Sequence, residues 1–86
     1  MKFATDRPFS DPDKAANKLI ELANAAEADR DQRIAIELIN SPFLSAGGSP
    51  DEYLAGIELA IAKGWLIRHR SGVYVKFTQT GADLFA

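Results

Sequence analysis

The chain has no cysteine and only one histidine, one tryptophan and one methionine among 86 residues. Without thiols there is no disulfide framework, no thiolate zinc site and no cysteine nucleophile, so packing alone must hold the fold. Long apolar runs are missing too. Nothing approaches the roughly 20 residues that cross a bilayer, and the start, MKFATDRPF, lacks the apolar centre of a secretory signal. The expectation is a cytoplasmic protein with no membrane partner. A large excess of one charge sign is also absent: the net charge of −2 gives no overall field toward nucleic acid or anionic lipid. Enzymatic equipment is equally thin. Gly47-Gly48 is not followed by the Gly-Lys-Ser/Thr of a phosphate loop, and no serine stands in a nucleophile elbow. Asp51 and Glu52 are adjacent helical positions that point apart. With no convergent acid, base and nucleophile, neither catalysis nor a cofactor is expected, and the lone His69 has no ligand spacing that would suggest a metal.

What is present is the composition of an ordinary folded domain, 47% hydrophobic and 26% charged. The length suits one core, hence a single domain over residues 1–86. Residues 1–9 mix Pro8 and charges with Phe3 and Phe9 and read as an arm pinned by its two phenyl rings. Ser10-Asp11-Pro12-Asp13 carries a cap, a preset φ and acids for the positive end of a helix dipole. Ala15, Ala16, Leu19, Ile20, Leu22, Ala23 and Ala26 then follow at helical spacing, which predicts a helix to about Ala28.

Asp29-Arg30-Asp31 interrupts that stripe. Ile34, Ala35, Leu38 and Ile39 fit a helix begun by Asp29 or Asp31, while Ile34, Ile36 and Leu38 fit a strand, and periodicity leaves residues 32–40 open between the two. Either element is expected to end at Asn40-Ser41-Pro42, because a residue before proline is pushed from the α region. Phe43 and Leu44 then return to the core from the connection or from a short turn begun by Pro42. Ser49-Pro50-Asp51-Glu52 combines an N-cap, a proline at the first helical position and a reciprocating acid. It predicts a helix from Pro50 to Lys63, closed by Gly64.

Beyond Gly64 the hydrophobic period shortens to two, and Ser71-Gly72 marks a hairpin tip. A two-residue loop Ser71-Gly72 sets Ile67 against Lys76 and Arg68 against Val75, mixing charge with apolar groups on both faces. A three-residue loop, Arg70-Ser71-Gly72, sets Trp65 against Phe77, Ile67 against Val75 and His69 against Val73 on one side. The second register is the expected one, with Gly72 left-handed and Arg68, Tyr74 and Lys76 on the outer face; Leu66 on that outer face counts against it. Leu84 and Phe85 are expected to dock one terminal turn onto the core.

The stretch YLAGIELAIAKGWLIRHRSGVYVKFTQTGADLF resembles the second half of bacterial winged helix-turn-helix regulators of the multiple-antibiotic-resistance repressor type. Lys63-Gly64-Trp65-Leu66 stands where such proteins end the recognition helix and begin the wing, and Thr78-Gln79-Thr80-Gly81 where the second wing strand meets a threonine-x-x-glycine segment. The resemblance covers roughly the last 40 residues and implies an α+β fold. That fold is a small winged helix of three helices, a two-stranded hairpin wing and a short C-terminal turn. It implies DNA binding by the third helix, yet that helix opens with Pro50, Asp51, Glu52 and Ala55, followed by Glu58, where base-reading cations or amides belong.

Cations concentrate instead on the hairpin. Lys63, Arg68, His69, Arg70 and Lys76 are the candidate nucleic-acid-binding residues, with no acid between Lys63 and Lys76. A solvated hairpin carries the same charges without a ligand. Two partner classes follow: double-stranded DNA gripped by the wing, with the domain as a homodimer, or another protein met by the third helix or the arm. A continuous positive strip from wing to third helix favours the first, and a divided one the second. Trp65 is expected in the core beside Phe77, and Tyr53 as a half-buried ring with a wet hydroxyl.

Overall fold

In the computed structural model, which describes residues 8–85, helix α1 (Pro12–Ala25) begins where the Asp11 carboxylate accepts the Asp13 amide at 2.9 Å. Pro12 supplies its fixed φ at that end. Ala15, Ala16, Leu19, Ile20 and Ala23 recur at three- and four-residue steps and are all buried. The helix stops at Ala25, short of Ala28, because Asp29 organises a turn rather than starting a helix. Its Oδ1 accepts the amides of Asp31 at 2.8 Å and Arg33 at 2.9 Å, and its Oδ2 accepts Arg33 Nε at 2.9 Å.

Out of that turn comes strand β1 (Ile34–Ala35), followed at once by helix α2 (Glu37–Ser45). The segment left open between helix and strand is therefore divided between them. The expected stop at Asn40-Ser41-Pro42 is overturned: α2 runs through Pro42. The proline removes only the bond owed to the Leu38 carbonyl, and Leu38 is 47% exposed, so water can take that acceptor. Ile39 and Phe43, four residues apart and both 0% exposed, hold the helix across it. Phe43 lies 4.8 Å from Phe9 and 5.9 Å from Tyr53 between ring centroids, so Phe9 itself packs against the core. Phe3 lies outside the described residues.

Helix α3 (Pro50–Ala62) opens with the expected capping box, Ser49 Oγ accepting the Glu52 amide at 3.1 Å and Glu52 Oε1 accepting the Ser49 amide at 3.0 Å. It crosses α1 at close range through Gly56. A Cβ placed there falls 2.9 Å from Ala15 Cβ and 2.7 Å from Leu19 Cδ1. Ile57 and Ala60 continue the buried face.

Strands β2 (Leu66–Arg68) and β3 (Tyr74–Phe77) form the hairpin, β1 adds to its other side in the order β1-β3-β2, and helix α4 (Gln79–Asp83) ends the chain. The protein is thus a small α+β fold of four helices and a three-stranded antiparallel sheet among the described residues. The expected two-stranded hairpin gains β1, because Ile34 and Ala35 pair with Val75 and Tyr74. The terminal turn is a short helix; Leu84 and Phe85 stay 50% and 41% exposed, and Phe85 meets the Phe77 ring edge-on at 6.0 Å.

The hairpin register differs from the expected one. Leu66 faces Phe77, Ile67 faces Lys76 and Arg68 faces Val75. His69 donates its amide to the Tyr74 carbonyl at 2.9 Å, so the loop is Arg70 to Val73. Gly72, at φ 83°, is left-handed as expected. A shift of one residue exchanges the two faces. Leu66, Val75 and Ile34 enter the core at 2%, 0% and 3% exposure, while Ile67 stands 57% exposed.

Two outcomes follow from these contacts. Gly56→Ala gains about 1 kcal/mol of helix propensity and meets an overpacking cost of typically 1–3 kcal/mol. The thermal midpoint should fall by several degrees, and a rise contradicts the close α1–α3 approach. The Asp29 carboxyl is held below its ordinary pKa, chiefly by the Arg33 backbone amide and further by the Arg33 side chain and the Asp31 amide, against partial burial. Its stabilising share is therefore complete above the unfolded carboxylate pKa of about 4 and is lost as pH falls through the lower folded value. Asp29→Asn should flatten the acid limb of a stability–pH curve, and an unchanged limb contradicts this role.

Candidate functional site

The surfaces able to meet a ligand are placed by one joint, the peptide group of Trp65. Helix α3 ends with Lys63 as C-cap and Gly64 left-handed at φ 78°, the Gly64 amide bonding the Ile61 carbonyl at 2.9 Å and the Trp65 amide bonding the Ala60 carbonyl at 3.0 Å. The Trp65 carbonyl turns the other way and accepts the Thr78 amide at 3.0 Å. Thr78 also aims its hydroxyl at the carbonyl oxygens of Gly64 and Trp65 and accepts the Gly81 amide at 3.0 Å, capping α4. Gly81 lies so close that a Cβ would fall 2.0 Å from the Trp65 oxygen. Hence the spacing of Thr78 and Gly81: one supplies the hydroxyl, the other the room.

From that joint the five hairpin candidates diverge. Lys63 turns to α1, its Nζ 3.4 Å from Asp13 Oδ1 and 5.2 Å from the Trp65 ring centre. Arg68 is exposed on the helix-facing side of the sheet, near enough for its charge to act on Tyr53. Lys76 lies opposite Ile67 on the outer face with Tyr74. The expectation that Arg68, Tyr74 and Lys76 share one face is therefore corrected, since the register sends Arg68 to the other. Arg70 is exposed in the turn. His69 is half-buried, its Nδ1 accepting the Ser71 amide at 3.1 Å and lying 2.9 Å from Ser71 Oγ.

Trp65 is half-buried at the margin of the core, and its expected partnership with Phe77 goes to Leu66 instead. Tyr53 is 7% exposed and its hydroxyl is buried without a hydrogen-bond partner, where a wet hydroxyl was expected. Burial raises its pKa, and Arg68 opposes that only in part. One contact escaped the residue-by-residue reading: the Arg33 guanidinium sits 4.8 Å above the Tyr74 ring, steered by Asp29 and Asp31. The D-R-D-x-R spacing was its only sequence signal.

The outward side of α3 is built differently from the hairpin. Asp51, Leu54, Ala55 and Glu58 are exposed along it, Leu54 at 54%, and no cation stands on the helix before Lys63 at its cap. A groove of about 380 Å³ between α1, β3 and α4 is lined by Ala23, Ile34, Phe77 and Gln79 among others, none of them ionisable. Among the described residues no three metal-ligating side chains converge, and no helix is long and apolar enough to cross a membrane.

Comparison with protein families, curated proteins and solved structures gives no match to this chain. The functional reading therefore rests on the placement of charge and apolar surface.

The joint itself is testable. Thr78→Val removes a cap and two shared bonds, and should cost about 1–2 kcal/mol in urea denaturation. Unchanged stability would contradict the clamp.

Proposed function

We propose that this chain is a non-catalytic winged-helix domain that meets another protein through the outward face of α3. The reading of the fold is supported by the sequence of elements. Three helices precede a hairpin that springs from a glycine-ended third helix, with β1 as an added strand. The observation that carries the functional reading is the α3 face itself, where the exposed Leu54 lies between the carboxylates of Asp51 and Glu58 on a helix that carries no cation. Phosphates are repelled by such a face, and no counterion release compensates. A desolvatable leucine with a charged rim suits a protein partner. Positive charge from the hairpin reaches α3 at Tyr53, through Arg68, but the outward face of the helix holds Asp51 and Glu58, and Lys63 is held by Asp13.

Double-stranded DNA remains the second reading, favoured by one observation. The hairpin from Leu66 to Phe77 holds Arg68, His69, Arg70 and Lys76 and no acid. A duplex gripped there would contact one face of the hairpin, which carries either Arg68 or Lys76 but not both.

A labelled random duplex at low and moderate salt separates the two. The wild type should show no salt-dependent affinity that an Arg68→Ala/Arg70→Ala variant loses. If it does bind, with a salt slope that drops by about 2 in the double variant, the hairpin is a phosphate clamp and the protein-binding reading of α3 fails.

A further inference from the structure

We infer that the partner of α3 is a second copy of this chain, seated by its outer sheet face; this rests on the reading of α3 as a protein-binding surface. The helices cover one side of the sheet with the core, while the other side presents Ile67, 57% exposed, beside Lys76 directly across the strand pair. Arg70 follows in the adjoining turn, and no acid occurs between Glu58 and Asp83. On α3, Asp51, Leu54 and Glu58 are spaced by three and four residues and so form one stripe. At the β2–β3 end of this face the exposed Ile67 stands beside the Lys76 cation, and on α3 Leu54 stands between carboxylates; Glu37 lies apart, over Ala35, Val73 and Tyr74. Asp51, Glu58, Arg70 and Lys76 make no ion pair with other described residues.

Laying a helix stripe on an open sheet face is among the few layer contacts that bury apolar surface well. Here it sets Leu54 against Ile67 and carboxylates against cations. Because every copy carries both surfaces, two copies that seat each other's α3 at once close across a two-fold axis as an isologous dimer, and a contact made on one side alone runs head to tail. Salt weakens it, since the charges lie at the rim.

The test is the mass of the full chain by light scattering and sedimentation at low and high protein concentration, with and without added salt. The wild type should exceed the monomer mass as concentration rises and return to it in salt. Asp51→Lys/Glu58→Lys and Arg70→Glu/Lys76→Glu should each be monomeric with unchanged circular dichroism. Mixing the two should restore the heavier species, because every reversed charge then faces its opposite. A wild type that stays monomeric, or mixed variants that do not recombine, overturns the second copy. If such a monomer also ignores duplex DNA, the protein-binding role of α3 stands with a different partner; duplex binding that depends on Arg68 and Arg70 overturns both.

Discussion

The arrangement of this small protein hangs on the Trp65 peptide, whose amide closes α3 on the Ala60 carbonyl and whose carbonyl receives the Thr78 amide. A helix end and a sheet start are thereby the same few atoms. Thr78 reinforces the joint with its hydroxyl, and Gly81 allows α4 to lie flush against it. Once Trp65 and Thr78 are joined, the pairs above them follow without freedom: Leu66 with Phe77, Ile67 with Lys76, Arg68 with Val75. Val75 and Leu66 then complete a core that α1 and α3 have already closed around Gly56.

That same register distributes charge. It turns Arg68 toward the helices and Lys76 away from them, so the cations of the hairpin do not make one surface. Lys63, the C-cap of α3, is drawn to α1 by Asp13. What α3 shows outward is acid around a leucine, and what the sheet shows outward is a cation beside an isoleucine. A third helix so charged offers no cationic face for reading a duplex, and it and the sheet present surfaces suited to each other.

How much of this was legible depended on how local each cause is. The Ser49–Glu52 box, the Gly64 stop and the left-handed Gly72 involve residues within a turn of one another, and all three were readable from the chain. The register was not, because the bond that sets it joins residues 13 positions apart, and the face-sharing argument preferred an all-apolar side. Leu66 was the warning: its place on the outer face of the expected register contradicted its size. β1 was half-legible, since two residues make a strand only with a partner some 40 positions away. Pro42 misled because packing of Ile39 and Phe43 outweighs a single lost bond at an exposed carbonyl. The five candidate cations could be named from sequence, but the faces they occupy could not.

The most direct measurement of the central claim, that the Trp65–Thr78 joint sets a register dividing the hairpin's charge, is the pattern of cross-strand Hα–Hα contacts in nuclear Overhauser spectra. His69 and Tyr74 form a hydrogen-bonded pair, so the alternate pairs, Leu66 with Phe77 and Arg68 with Val75, are the closely spaced ones. Strong Hα–Hα contacts for these two pairs are predicted. Contacts drawn instead from the register that sets Ile67 against Val75 would return Arg68 and Lys76 to one face and contradict the account.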